Sequence, residues 1–128
     1  MDKKKILILE PDRDVSELFA RALESRRDCK CYHASREEEA FDLLQDISFH
    51  MILADLSMIM AGDFSALKKI KRLFPLTTIV VDGYVHQKEL LCKALSLGAH
   101  GTIFKPIKVE MLRKKVDELN APSAVRLS

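Results

Sequence analysis

Phe49-His50-Met51-Ile52-Leu53-Ala54-Asp55-Leu56-Ser57-Met58 is the stretch on which the fold turns. An apolar run stops at a single carboxylate. It is far shorter than the roughly 20 residues of a membrane helix and lacks the polar breaks of an amphipathic one, so it reads as a strand buried on both faces. An acid at the carboxyl end of such a strand stands where open α/β sheets bind their ligands. Ending a strand or capping a turn would also account for an aspartate, so the surrounding chain has to decide.

Upstream, Ile6-Leu7-Ile8-Leu9 is a second short apolar run, ended by Glu10-Pro11-Asp12, and reads as the first strand. Val15, Leu18, Phe19, Ala22 and Leu23 recur at helical spacing, with Asp12 or Asp14 as N-cap. Cys29 to His33 alternates as strand two. Ser35-Arg36-Glu37-Glu38 is a capping box that opens a second helix with Ala40, Phe41 and Leu44 inward. Downstream of Asp55, residues 57–62 read as a loop, with Gly62 at its turn and Asp63 as the next N-cap. Leu67, Ile70 and Phe74 mark a third helix that Pro75 stops. Thr78 to Val81 is a β-branched fourth strand. Leu90, Leu91, Ala94 and Leu95 mark a fourth helix closed by Gly98 as its left-handed C′ residue. Gly101 to Phe104 makes the fifth strand, Lys105-Pro106 breaks it, and Val109, Leu112, Val116 and Leu119 mark the last helix.

This β-α alternation, five times over, predicts an α/β fold with a parallel five-stranded sheet and helices on both faces. Strands one, three and four are continuous apolar runs, as central strands should be. Strands two and five carry Lys30, His33, His100 and Thr102, as edge strands can. That is the flavodoxin-like order 2-1-3-4-5, whose switch point lies between strands one and three. Glu10 and Asp55 end those two strands and so flank one crevice. Residues 1–120 read as one domain, and 121–128, with Pro122, as a tail or linker stub.

A chain of 128 residues is enough for one domain with a real core. Hydrophobic residues at 48% and charged ones at 31% give a globular composition rather than a disordered one. The net charge of +2 is too small to argue for nucleic acid or a membrane surface. The basic clusters Lys3 to Lys5, Lys68-Lys69-Ile70-Lys71-Arg72 and Arg113-Lys114-Lys115 read as solvated faces or ends. With no Trp and two Tyr, stacking on bases has little support. Met1-Asp2-Lys3-Lys4-Lys5 and its short apolar run do not make a signal peptide, so a cytoplasmic setting is expected. There Cys29, Cys31 and Cys92 would be reduced thiols acting as small core hydrophobes. His33, His50, His86 and His100 share no metal spacing; edge and loop positions explain them. Met58 and Met60 read as loop packing. Asp82, before Gly83, is expected by alternation to point away from the crevice.

Glu10, Asp55 and Lys105 converge on the carboxyl edge of this sheet. An aspartate becomes a useful nucleophile when its surroundings exclude water and a cation offsets the developing charge. A lysine across the crevice could pair with Asp55 or with a phosphoryl group on it. Magnesium takes oxygen ligands, often one or two carboxylates with phosphate and water, and Glu10, Asp55 and a backbone carbonyl near Ser57 could supply them. X-Pro bonds can be cis, and a cis bond before Pro106 would fix where Lys105 points.

Over about residues 4–119 the arrangement resembles the receiver domain of two-component response regulators. The resemblance is carried by Ile6-Leu7-Ile8-Leu9-Glu10, by Asp55 ending strand three, by Gly98-Ala99-His100-Gly101, and by Lys105-Pro106, at their particular spacing. It implies that a histidine kinase or phosphotransfer protein passes a phosphoryl group to Asp55 with magnesium as cofactor. Lys105 matches the family's lysine, Pro106 its cis-proline, and Glu10 the first acid of the pair after strand one. Four positions depart from the pattern. Pro11 stands where the second acid belongs, with Asp12 one residue late. The Ser/Thr at the end of strand four is matched to Gly83, the aromatic switch residue to Thr102, and the usual Met-Pro to Met58-Ile59.

Two readings follow. In the first, the chain is a phospho-accepting receiver with weakened magnesium dependence and an atypical switch. In the second, it is a pseudo-receiver in which Asp55 and Lys105 form a buried salt bridge, and the face of the fourth helix, fifth strand and last helix binds a partner or a second copy. Neither makes the chain an enzyme, and its output is expected through contacts. A third reading, a small flavin or nucleotide binder, needs a phosphate cradle after strand one. The acids of Glu10-Pro11-Asp12-Arg13-Asp14 would repel phosphate, and the fold alone cannot supply the function.

Overall fold

The computed structural model describes residues 3–119. Its elements are β1 (Lys4–Leu9), α1 (Arg13–Glu24), β2 (Cys29–Ala34), α2 (Glu37–Asp46), β3 (Met51–Asp55), the one-turn α3 (Leu56–Ile59), α4 (Ala61–Leu73), β4 (Thr78–Tyr84), a 3-10 turn at Val85–Gln87, α5 (Lys88–Ser96), β5 (Gly101–Lys105) and α6 (Val109–Leu119). The five strands are all parallel, in the order β2-β1-β3-β4-β5. The α/β flavodoxin-like expectation therefore holds, and the two strands with polar positions lie at the edges. The tail expected at 121–128 lies outside the described residues.

Every residue of β3 is buried. Its alternating side chains feed two cores, one on each face of the sheet. Ile52 and Ala54 join Leu7, Leu9, Ile79 and Val81 against α2, α4 and α5, where Ala40, Leu44, Leu67, Ile70, Leu91 and Ala94 are buried. Met51 and Leu53 join Ile6, Ile8, Val80 and Ile103 against Phe19, Ala22 and Leu23 of α1 and Leu112 and Val116 of α6. The apolar runs that looked continuous in the sequence are thus divided between two helical layers.

Several local expectations change. Asp12 caps α1, accepting hydrogen bonds from the Asp14 and Val15 amides, but Leu18 is 61% exposed and Ser16 takes a buried place instead. The capping box at Ser35–Glu38 does not form. α2 starts one residue later than a Ser35 cap requires, and the Ser35 hydroxyl donates to Glu39. The loop after Asp55 contains α3, followed by three left-handed residues, Gly62, Asp63 and Phe64. Asp63 is not an N-cap there; its carboxylate pairs with Lys68 and with Lys93 of α5, at 3.3 and 2.7 Å. Leu90, Leu95 and Val109 face outward rather than into the core. Cys29 is buried and Cys31 half-buried, while Cys92 is an exposed free thiol rather than a core residue. His50 and His100 earn their places as side-chain acceptors for the backbone amides of Lys5 and Ile79.

Gly98 follows the C-cap of α5 with φ +114°, a region open mainly to glycine. A Cβ there would also meet the Lys71 side chain at 2.7 Å, which that flexible chain could yield. Backbone strain is the lasting cost, so Gly98→Ala is expected to lose about 1–3 kcal/mol of stability. Urea denaturation checks this, and an unchanged midpoint would refute it.

Candidate functional site

The register of the sheet builds the site. Asp55 is paired with Asp82 across β3 and β4, and Tyr84 with Lys105 across β4 and β5. Side chains repeat every second residue along a strand. Asp55 thus follows Leu53, Asp82 follows Val80, Lys105 follows Ile103 and Glu10 follows Ile8, all on the face covered by α1 and α6. Four charged side chains consequently emerge together at the carboxyl edge of β1, β3, β4 and β5.

The Lys105 ammonium sits among the acids. Its Nζ donates to Glu10 Oε1 at 2.9 Å and Asp55 Oδ1 at 2.5 Å, and lies 3.3 Å from Asp82 Oδ1. The other Asp55 oxygen accepts from the Ser57 amide at 3.1 Å and from the Ser57 hydroxyl. Glu10 Oε2 accepts from the Asp12 amide at 2.9 Å. The Lys105-Pro106 bond is cis. Asp82 is 1% exposed, and its Oδ1 is buried without a hydrogen-bond partner among the described residues.

These surroundings set the charges. Burial works against an ionised Asp55, but the hydrogen bonds from Lys105 and Ser57 outweigh it and hold the carboxyl below its ordinary range. Asp55 is therefore an ionised carboxylate at neutral pH. Burial pushes the Asp82 carboxyl up to about 7; Lys105 opposes this, and the charges of Asp55 and Glu10 reinforce it. Burial alone would lower Lys105, but its bonds to Asp55 and Glu10 and the charge of Asp82 raise it above its ordinary value, so it stays protonated.

The residues expected from the sequence, Glu10, Asp55, Ser57 and Lys105, do come together. Two expectations about strand four are corrected. Asp82 points into the site, because the register of β3 and β4 sets Asp82, and not Gly83, opposite Asp55. Gly83 is on the opposite face, where a Cβ would meet Leu91 of α5. The strand-four position facing Asp55 is thus occupied by a carboxylate, not by a residue lacking a side chain. The signal was present in the sequence: Ile79-Val80-Val81-Asp82 is a third central apolar run that ends in an acid, and a buried acid needs a partner.

Oxygen donors from Glu10, Asp55 and Asp82 lie within 4.8 Å of one another. Hard oxygen donors with one buried carboxylate oxygen lacking a hydrogen bond fit a hard divalent cation such as magnesium. No helix among the described residues is long and apolar enough to cross a membrane.

An open parallel sheet of order β2-β1-β3-β4-β5 with an acid-lysine cluster at its carboxyl edge defines a flavodoxin-like fold. Residues 6–117 match the family described as response regulator receiver domain, and the chain belongs to that family. It is similar to a response regulator of Thermotoga maritima at a TM-score of 0.81 and 19% identity, covering 91% of this chain and 97% of the other. A chemotaxis response regulator of Vibrio cholerae matches at 0.81 and 20%, covering 91% and 98%. Among curated proteins, the chain is 28% identical over 120 residues to protein-glutamate methylesterase/protein-glutamine glutaminase 1 of Myxococcus xanthus, covering 85% of this chain. The chain spans only 34% of that protein's length. Receiver domains of this family work in two-component signalling, between histidine kinases and downstream effectors.

Proposed function

We propose that the chain accepts a phosphoryl group on Asp55 from the phosphohistidine of a histidine kinase or phosphotransfer protein. An Asp55 oxygen would form the new P–O bond while the P–N bond breaks, and the imidazole would leave and take up a proton. The observation that carries this reading is an ionised carboxylate at the end of β3, in direct contact with the Lys105 ammonium. Lys105 offsets the charge that a phosphoryl group brings, and the Ser57 amide can donate to its oxygens. When bound, magnesium would neutralise phosphoryl charge; Glu10, Asp55 and the Ser57 carbonyl are its donors in this reading, with weakened dependence because Pro11 supplies no carboxylate.

A second reading rests on Asp82. An acid beside the acceptor repels an incoming phosphoryl group, and Lys105 is already shared by three carboxylates. That favours a phosphorylation-independent interaction module. In either case the output surface is α5, β5 and α6, where Leu90, Leu95, Phe104 and Met111 are exposed apolar side chains.

Incubation with a small phospho-donor, with and without magnesium, followed by intact-mass spectrometry, separates the two. The expected result is a mass gain of one phosphoryl group that depends on magnesium and is abolished in Asp55→Asn. No gain under forcing conditions leaves the interaction module.

A further inference from the structure

We propose that the amino edge of the sheet is a docking surface for an acidic, leucine-bearing peptide segment of a partner protein. This edge is at the opposite end of the strands from Asp55 and apart from the face of α5, β5 and α6. The inference does not depend on phosphorylation.

Three open cavities run together at that edge, of about 400, 420 and 480 Å³. Ser48, in the loop before β3, lines all three. The first two share Phe49 and Leu76 as apolar walls. Leu76, in the loop before β4, is 96% exposed and stands at the lip of this groove. The third cavity is lined by Lys3, Lys5, Lys30, Ser48 and His50. Lys5 is the register partner of Lys30 across β1 and β2, which sets two ammonium groups side by side. Like charges so placed repel unless an anion lies between them. Among the described residues, none of Lys3, Lys5 and Lys30 has an ion-pair partner. Lys30 Nζ lies 5.2 Å from the centroid of the Tyr32 ring, and Tyr32 packs edge-on against Phe49. The basic pocket and the apolar groove therefore adjoin. His50 Nδ1 accepts from the Lys5 amide, so the neutral ring carries its proton on Nε2 and adds a donor.

The charge pattern selects the occupant. No aspartate or glutamate lines any of the three cavities, although the chain has 19 acidic residues. Carboxylates complement the lysines and His50, and a leucine side chain fills the groove beside Leu76. A second copy of this chain would set the same lysines against each other across a two-fold axis. Residues 120–128 contain Arg126 and no acid, so they do not supply the charge. A bilayer takes up a protruding apolar face, whereas these apolar walls are concave.

The test is a fluorescence-anisotropy titration of the full chain into a labelled peptide of alternating glutamate and leucine. Amide chemical-shift mapping on the isotope-labelled protein locates the contact. The expected result is saturable binding that weakens as salt rises, with shifts at Ser48, His50 and Leu76 and none at Asp55 or Leu90. Leu76→Ser weakens binding about tenfold or more, as does Lys5→Glu combined with Lys30→Glu, and as does glutamine in place of the peptide's glutamates. Circular dichroism confirms that the variants are folded; should the double variant not fold, Lys3→Glu, at an exposed position ahead of β1, serves in its place. Absence of saturable binding overturns the proposal, as do shifts confined to another face or variants within about twofold of the wild type. Stronger uptake by phosphatidylserine vesicles than by the peptide would make this edge a membrane contact and overturn it. Dimerisation abolished by Leu76→Ser in sedimentation would assign the edge to a second copy and overturn it too.

Discussion

Lys105→Met is expected to lose about 3–5 kcal/mol of stability at neutral pH, the typical cost of removing one partner from a buried ion pair. The methionine keeps much of the lysine's volume, so the loss reports charge rather than a cavity. In the native protein the ammonium is within 3.3 Å of three carboxylates, and its side chain is 13% exposed. Without it, Glu10, Asp55 and Asp82 face each other with no cation, and the folded state takes up protons that the unfolded state does not. Stability then falls as pH rises, so the penalty shrinks between pH 8 and pH 5. Urea denaturation of both proteins at the two pH values checks this. A penalty under about 1 kcal/mol at pH 8 would place Lys105 outside the set of groups that hold the site together.

Asp82→Asn is the companion result, with the opposite sign. The Asp82 carboxyl is raised from its ordinary 3.8 to about 7. Between those values the folded state holds a proton that the unfolded state has lost, so stability drains away as pH rises, and above about 7 the loss is complete. The whole rise corresponds to at most about 4 kcal/mol. An amide also gives up the attraction of Lys105, so a gain of about 1–2 kcal/mol at pH 8 is expected, fading below pH 5. Denaturant midpoints across that range decide it. A variant less stable than wild type at pH 8, or a difference independent of pH, would show that Asp82 is a net asset as an anion.

The sheet order was legible because strand burial writes itself into composition. Central strands read as unbroken apolar runs, while Lys30 and His100 betrayed the edges. Asp55 and Lys105 were legible because an acid ending an apolar run and a Lys-Pro break are rare punctuation. Asp82 was missed through an error of one residue in register. Taking Gly83 as the position that faces the site turns Asp82 away by alternation, whereas the pairing of β3 with β4 sets Asp82 opposite Asp55. Register depends on pairing with neighbours, which a single sequence does not display. The capping box at Ser35 failed for a related reason: Glu38 was assigned as partner from spacing, but the Ser35 hydroxyl reaches Glu39. The outward Leu18, Leu90 and Leu95 show how periodicity finds a helix without fixing the width of its buried stripe.

The alternation that gathers Glu10, Asp55, Asp82 and Lys105 on the α1 and α6 side also separates them from α5. The sheet is a partition, with the charges on one side and the exposed leucines of α5 anchored on the other. On the α5 side, the residues nearest the site along β4 and β5 are the paired Gly83, which has no side chain, and Phe104, which is 41% exposed. Beyond that wall the large side chain nearest the site is Phe104, the neighbour of Lys105. A second connection runs around the wall's end, along α3 and the left-handed turn at Gly62–Phe64, where Asp63 is moored to Lys93 of α5. The loop after Asp55 thus ties the charged side of the sheet to α5 by an ion pair, while β5 ties it there through Phe104.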